Sequence, residues 1–210
     1  MTHPAKLMLP SKDQIKQLPT FVSLPLEQVR IIRNKLQCDA IADELAACTV
    51  LGFDSESKPT FKKGEIQTGP HLIQLASAQK VYLFQMNAET WPFLIPILES
   101  SDQLKVGFGL KNDAHLLWQQ GIKLNTVIDL SRCFGSFGLK QTVGVQTAVA
   151  LLLQQHFPKS KAISTSNWAN PTLSEMQIAY AAADAYACVV IFAELRRLGL
   201  LQQVNQRIHV

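Results

Sequence analysis

Val50-Leu51-Gly52-Phe53-Asp54-Ser55-Glu56 is an apolar run that ends on two acids. Its composition reads as a strand. In an extended chain successive side chains point to opposite faces, so Asp54 and Glu56 share one face while Phe53 and Ser55 take the other. Two neighbouring carboxylates repel, and burying them costs heavily unless a cation offsets the charge. Taken alone, the pair is either a solvated strand end or part of a cation site.

Working outward, residues 71–77 and 81–84 read as two further strands, joined by a connection short enough for a hairpin. Between the first two strands lies a polar segment, 57–70, with Pro59, Lys62, Lys63, Gly64, Gly69 and Pro70, which reads as a loop. Upstream, 29–32 is a short β-rich run and 39–48 shows helical spacing through Ile41 and Leu45. Residues 1–27, with Pro4, Pro10, Pro19 and Pro25, read as an extended arm, leaving 28–210 as one domain. Downstream, 104–108 and 126–130 read as strands, and 89–100, 112–120 and 142–155 as helices. Segment 157–170 reads as a loop carrying Lys159 and Lys161.

The last helix is the best marked. Ser174 and Gln177 have capping-box spacing, and Leu173 and Ile178 stand where a hydrophobic staple would sit. Arg196 and Arg197 fall in the last turn and Gly199 follows. Such a helix is about 36 Å long at roughly 1.5 Å per residue. Strands first in a hairpin group, then alternating with helices, indicate an α/β layered domain with a mixed sheet.

The apolar fraction of 47% is enough for a core, and the charged fraction of 17% argues against disorder. A net charge of +4 permits a polyanionic partner without demanding one. Cys38, Cys48, Cys133 and Cys188 form no Cys-x-x-Cys pair and no zinc-spaced cluster, which fits a reducing compartment. The first ten residues carry no signal-peptide pattern, and no stretch approaches the roughly 18 apolar residues of a membrane span. The expectation is a cytoplasmic protein without a membrane partner.

Further acids stand at suggestive places. Tyr180 and Asp184 are four apart and share a helix face. They read either as part of a site or as a buried tyrosine bonded to a nearby acid. Asp113 follows a strand and a glycine-containing turn, 106–112, and falls in a first helical turn, where the helix dipole favours an anion for stability alone. Acids from three elements suit hard cations such as Mg²⁺ and Mn²⁺, which prefer oxygen ligands. Two such ions can clamp the attacking and leaving oxygens of a phosphodiester.

In order, Asp54-x-Glu56, Gly109-x-x-x-Asp113 and Tyr180-x-x-x-Asp184 resemble the three motifs of the DEDDy group of 3′-5′ exonucleases. That group includes ribonuclease D, the proofreading domain of family A polymerases and the Werner-type exonuclease domain. The run 71–76 resembles the family's second strand, and Ser166-Asn167-Trp168 with the run 180–186 resembles the Werner-type branch. The resemblance spans about residues 29–198. It implies a ribonuclease-H-like fold, with three antiparallel strands followed by parallel ones and helices on both faces.

The resemblance further implies two divalent cations, Mg²⁺ or Mn²⁺. Asp54 would bridge them, Glu56 and Asp184 would hold the one that activates water, and Asp113 would support the other. Tyr180 would orient the attacking water. The substrate would be a nucleic acid 3′ end, DNA or RNA, and the product a nucleoside 5′-monophosphate. Lys62, Lys63, Lys159 and Lys161 are candidate phosphate contacts or solvated loop residues. Trp168 either stacks a base or packs below the last helix, and Gln74 reads as structural. Competing readings are a hydrolase of short oligonucleotides or dinucleotides, and a non-catalytic nucleic-acid-binding module of the same fold.

Overall fold

A computed structural model of the chain describes residues 9–60, 64–135, 138–139 and 141–201. The opening run forms a strand, Val50–Glu56 (β2), near the middle of a six-stranded sheet. The others are Val29–Ile32 (β1), Leu72–Ala76 (β3), Val81–Gln85 (β4), Leu104–Gly107 (β5) and Val127–Asp129 (β6). Their spatial order is β1-β4-β3-β2-β5-β6. Strands β2, β3 and β4 are antiparallel, and β5 and β6 continue parallel to β2. This is the ribonuclease-H-like arrangement expected, with β1 added parallel to β4 at the outer edge.

Helices cover both faces, and strand alternation decides which residues meet them. On one face Phe53, Ile73, Leu75 and Phe84 pack with residues of Trp91–Glu99 (α4) and Lys111–Gln119 (α5), among them Leu94, Leu98 and Leu117. The other face is covered by Val145–Leu153 (α6) and Glu175–Arg197 (α8). By length and composition α8 would pass for a membrane-crossing helix. Here Ala181, Ala185, Cys188 and Ile191 bury its apolar face within the fold.

Both ends of α8 follow the expected local chemistry. Gln177 N donates to Ser174 Oγ at 3.2 Å, and Ser174 N donates to Gln177 Oε1 at 3.0 Å. At the far end Gly199 adopts φ +70°, and Leu200 N reaches back to Leu195 O at 2.9 Å. This backward bond satisfies a carbonyl that the helix leaves open.

Helix and sheet meet unusually closely at Gly52. A Cβ on that residue would fall on the backbone carbonyl oxygen of Ala185. Glycine on the strand and alanine on the helix therefore set the distance between β2 and α8.

Three local readings differ from the structure. The helical reading of 39–48 resolves into two short helices, Lys35–Asp39 (α2) and Ala42–Ala46 (α3), the first capped by Asn34. The loop 157–170 contains a short helix, Lys161–Ser164 (α7), capped by Ser160. The described part of the arm is not wholly extended. It holds the helix Lys12–Lys16 (α1), and Thr20 forms a β-bridge with His156. Phe21 is buried there, with its ring 5.3 Å from that of Phe157. Isolated prolines mark turns but do not report whether the chain between them docks.

Candidate active site

The strand β2 and the helix α8 each bring acids to the same place. Asp54 and Glu56 project from the end of β2 toward α8, and Asp184 projects from one turn of α8 toward them. Carboxylate oxygens of Asp54, Glu56 and Asp184 lie within 4.8 Å of one another. Burial is the largest cause that raises the Asp54 carboxyl well above its usual range, and the like charges of Asp184, Asp113 and Glu56 add to it. Glu56 is pushed up to about 8, by burial first and then by Asp184. Burial also raises Asp184, against the lowering influence of Lys159 and Tyr180. The surroundings therefore resist the very charge that these side chains carry.

Asp113 stands beside this triplet. Its carboxylate accepts a 2.6 Å hydrogen bond from Ser55 Oγ. Ser55 was assigned only to the face opposite the acids, and that placement is what lets it reach α5. The turn before α5 depends on Gly109, whose φ of +67° lies in the left-handed region where a side chain would be strained. The Gly109 N–H donates to Asp129 Oδ1 at 2.9 Å, which fixes where α5 begins. Asp113 then falls in the first turn as expected.

Tyr180 lies one turn before Asp184, half-buried, and faces Asp184 and Glu56 closely enough to feel both charges. Burial first, and Asp184 second, push its phenol up to about 12. Its ring is backed by Trp168, at 6.1 Å between centroids.

The two loop lysines part company. Lys159 Nζ lies 3.1 Å from Asp184 Oδ1 and 3.2 Å from Oδ2, and donates its hydrogen bond to Oδ2. It also sits 5.4 Å from the centre of the Tyr180 ring. Burial works against its charge, yet Asp184, Tyr180 and Asp54 hold the ammonium above its ordinary value. Lys161 is exposed on α7, and no contact of its side chain with the acids is seen among the described residues. The local sequence carried one signal separating the two. Lys161 follows the helix cap Ser160, whereas Lys159 lies two residues after the buried Phe157.

Trp168 is not a stacking platform. It is fully buried, and its indole Nε1 donates to Ser164 O at 3.2 Å, so neither ring face is open to a base. It supports Tyr180 from behind. Lys62 and Lys63 lie outside the described residues.

The donor set suits a hard divalent cation. It is all oxygen, its carboxylates would be held ionised by a bound cation, and Asp184 Oδ1 is buried without a hydrogen-bond donor, although the Lys159 ammonium lies nearby. Lys159 balances part of the charge on Asp184, and a divalent cation would balance the rest of the cluster.

Residues 29–199 match the sequence profile of the family described as 3′-5′ exonuclease. The chain belongs to this family. It is similar to the bifunctional 3′-5′ exonuclease/ATP-dependent helicase WRN of Mus musculus, 34% identical over 169 residues. That match covers 78% of this chain and 12% of the mouse protein. Among solved structures it resembles the EXO domain of Aedes aegypti Nibbler, with a TM-score of 0.71 and 22% identity, covering 88% of this chain and 93% of that one. It also resembles Trypanosoma brucei RNase D in complex with RNA U12, with a TM-score of 0.68 and 18% identity, over 93% and 66% of the two chains. At these identities the structural likenesses establish the ribonuclease-H-like fold.

Proposed function

We propose that this exonuclease-family chain removes nucleoside 5′-monophosphates from nucleic acid 3′ ends in a reaction that needs two divalent cations. The convergence of Asp54, Glu56 and Asp184 from a strand and a helix carries the reading. These three would hold the cations, Mg²⁺ or Mn²⁺, with Asp113 assisting from α5. Cations held there supply positive charge to the phosphodiester and make hydroxide accessible near neutral pH.

The side chains do the rest. Tyr180 keeps its proton at neutral pH, its phenol being pushed up to about 12. It would orient the attacking water by hydrogen bonding through this phenol. Lys159 stays cationic and places positive charge at the edge of the acid cluster, where an anionic phosphate must approach. The net charge of +4 is compatible with a polyanionic substrate, and the solved RNase D relative is a complex with RNA.

The test is gel-resolved digestion of 5′-labelled single-stranded DNA and RNA with Mg²⁺, Mn²⁺ or EDTA, comparing wild type with Asp54→Ala. The expected result is a metal-dependent ladder shortening from the 3′ end, absent in the variant, with the relative rates giving the sugar preference. A protein that binds the strands yet degrades neither them nor dinucleotides would be a non-catalytic binding module.

A further inference from the structure

Gln74 occupies the centre of β3 and is fully buried. Neither its amide nitrogen nor its amide oxygen meets a hydrogen-bond partner among the described residues. Buried amides are seldom left this way, because the loss of hydration goes uncompensated. Ordered water is the usual partner where protein groups supply none.

Its place in the sheet says what it faces. Gln74 stands directly opposite Asp54 on β2 and Leu83 on β4. Residues opposite each other in antiparallel strands project to the same face, with Cβ atoms about 5 Å apart. Leu72 and Ala76, which share its parity, pack with Ala181, Ala182 and Ala185 of α8. Ile73 and Leu75 belong to the other face. The amide therefore lies beneath α8, beside Asp54, at the inner end of the acid cluster. The helix presents methyl groups there, which explains the missing protein partner.

We propose that Gln74 is a positioning residue for Asp54. Its Nε2 holds an ordered water that donates to the Asp54 carboxylate and fixes the direction in which that carboxylate meets a cation. The proposal rests on the metal-dependent reading above. Groups that orient a metal ligand from behind typically change affinity 10–100-fold when removed.

The test uses Gln74→Leu and Gln74→Met, both of similar volume and apolar. Mn²⁺ binding is followed by the paramagnetic resonance of the free ion, and melting is measured after EDTA treatment. The expected result is an affinity for Mn²⁺ weaker by about 10–100-fold, with a Tm equal to or above that of wild type. A merely structural glutamine gives the opposite pattern, a lower Tm with unchanged Mn²⁺ affinity, and that overturns the proposal. Unchanged affinity with unchanged Tm overturns it equally. Should Gln74→Leu not fold, Gln74→Met decides. Asp54→Asn is the reference. A wild-type protein that binds Mn²⁺ no better than Asp54→Asn overturns the metal-dependent reading itself, and the role of Gln74 with it.

Discussion

At the residue scale, Tyr180 shows how one environment selects among several chemistries. A phenol beside two carboxylates could serve as an acid, a base or a hydrogen-bonding group. Burial and the charge on Asp184 disfavour loss of its proton, so in the proposed reaction it would serve as a hydrogen-bonding group. Replacing Tyr180 with Phe removes the hydroxyl and keeps the ring against Trp168. The expected outcome is a fall in kcat of about 10²-fold, comparable to removing one well-placed hydrogen-bonding group from an active site, with Mn²⁺ affinity unchanged. Single-turnover digestion beside a Mn²⁺ titration checks both halves. A variant that loses metal affinity instead would make Tyr180 a support for Asp184 rather than for water.

At the element scale the site depends on how closely β2 and α8 approach. Gly52 touches none of the acids, yet a methyl group at that position would drive the strand from the helix. Overpacking of this kind costs about 1–3 kcal/mol. Gly52→Ala is therefore expected to lower the Tm by several degrees. It should also weaken Mn²⁺ binding, because Asp54 and Glu56 move with the strand while Asp184 moves with the helix. Equal Mn²⁺ affinity in the two proteins would show that the triplet adjusts independently of the backbone spacing.

The same scale explains what the sequence made legible. Period-two alternation placed Asp54 and Glu56 on one face, and the capping residues of α8 fixed both its ends, because each signal is local. The fates of Lys159, Lys161 and Trp168 were only partly local, the Ser160 cap before Lys161 being the one sequence signal. All three lie on one irregular segment, and which side chain turns inward depends on where Phe157 and Tyr180 pack. The docking of the arm is similar, since Phe21 gains its partners only when His156 and Phe157 arrive from the far side of the chain.

For the whole molecule, the clustered acids tie stability to pH and, on the proposed reading, would tie it to metal. Folding raises the Glu56 carboxyl from its ordinary 4.5 to about 8. Between these values the folded chain holds protons that the unfolded chain has released. This contribution to stability is complete below 4.5 and is lost as pH rises toward 8. His71 acts in the opposite sense, because burial and Lys58 lower its pKa. The difference between wild type and Glu56→Gln reports this carboxyl together with the neighbours it is coupled to, and leaves His71 out. Melting curves in EDTA from pH 5 to 8 are expected to show a decline in wild type that is shallower in Glu56→Gln. Mn²⁺ should reverse the decline in wild type, since binding requires the acids to release their protons. An EDTA profile identical in both proteins would mean that Glu56 is not held protonated by the fold.

The outermost strand has a consequence for biosynthesis. Val29–Ile32 leaves the ribosome well before Val81–Gln85, the strand it pairs with. During that interval a short apolar ribbon must wait without its neighbour. Exposed Arg30 lies within it and exposed Arg33 directly follows. Charges placed in and beside an apolar strand discourage pairing with other chains. The two arginines are therefore placed to discourage wrong pairing before β4 is made, and they stay exposed in and beside what is still an edge strand of the finished fold.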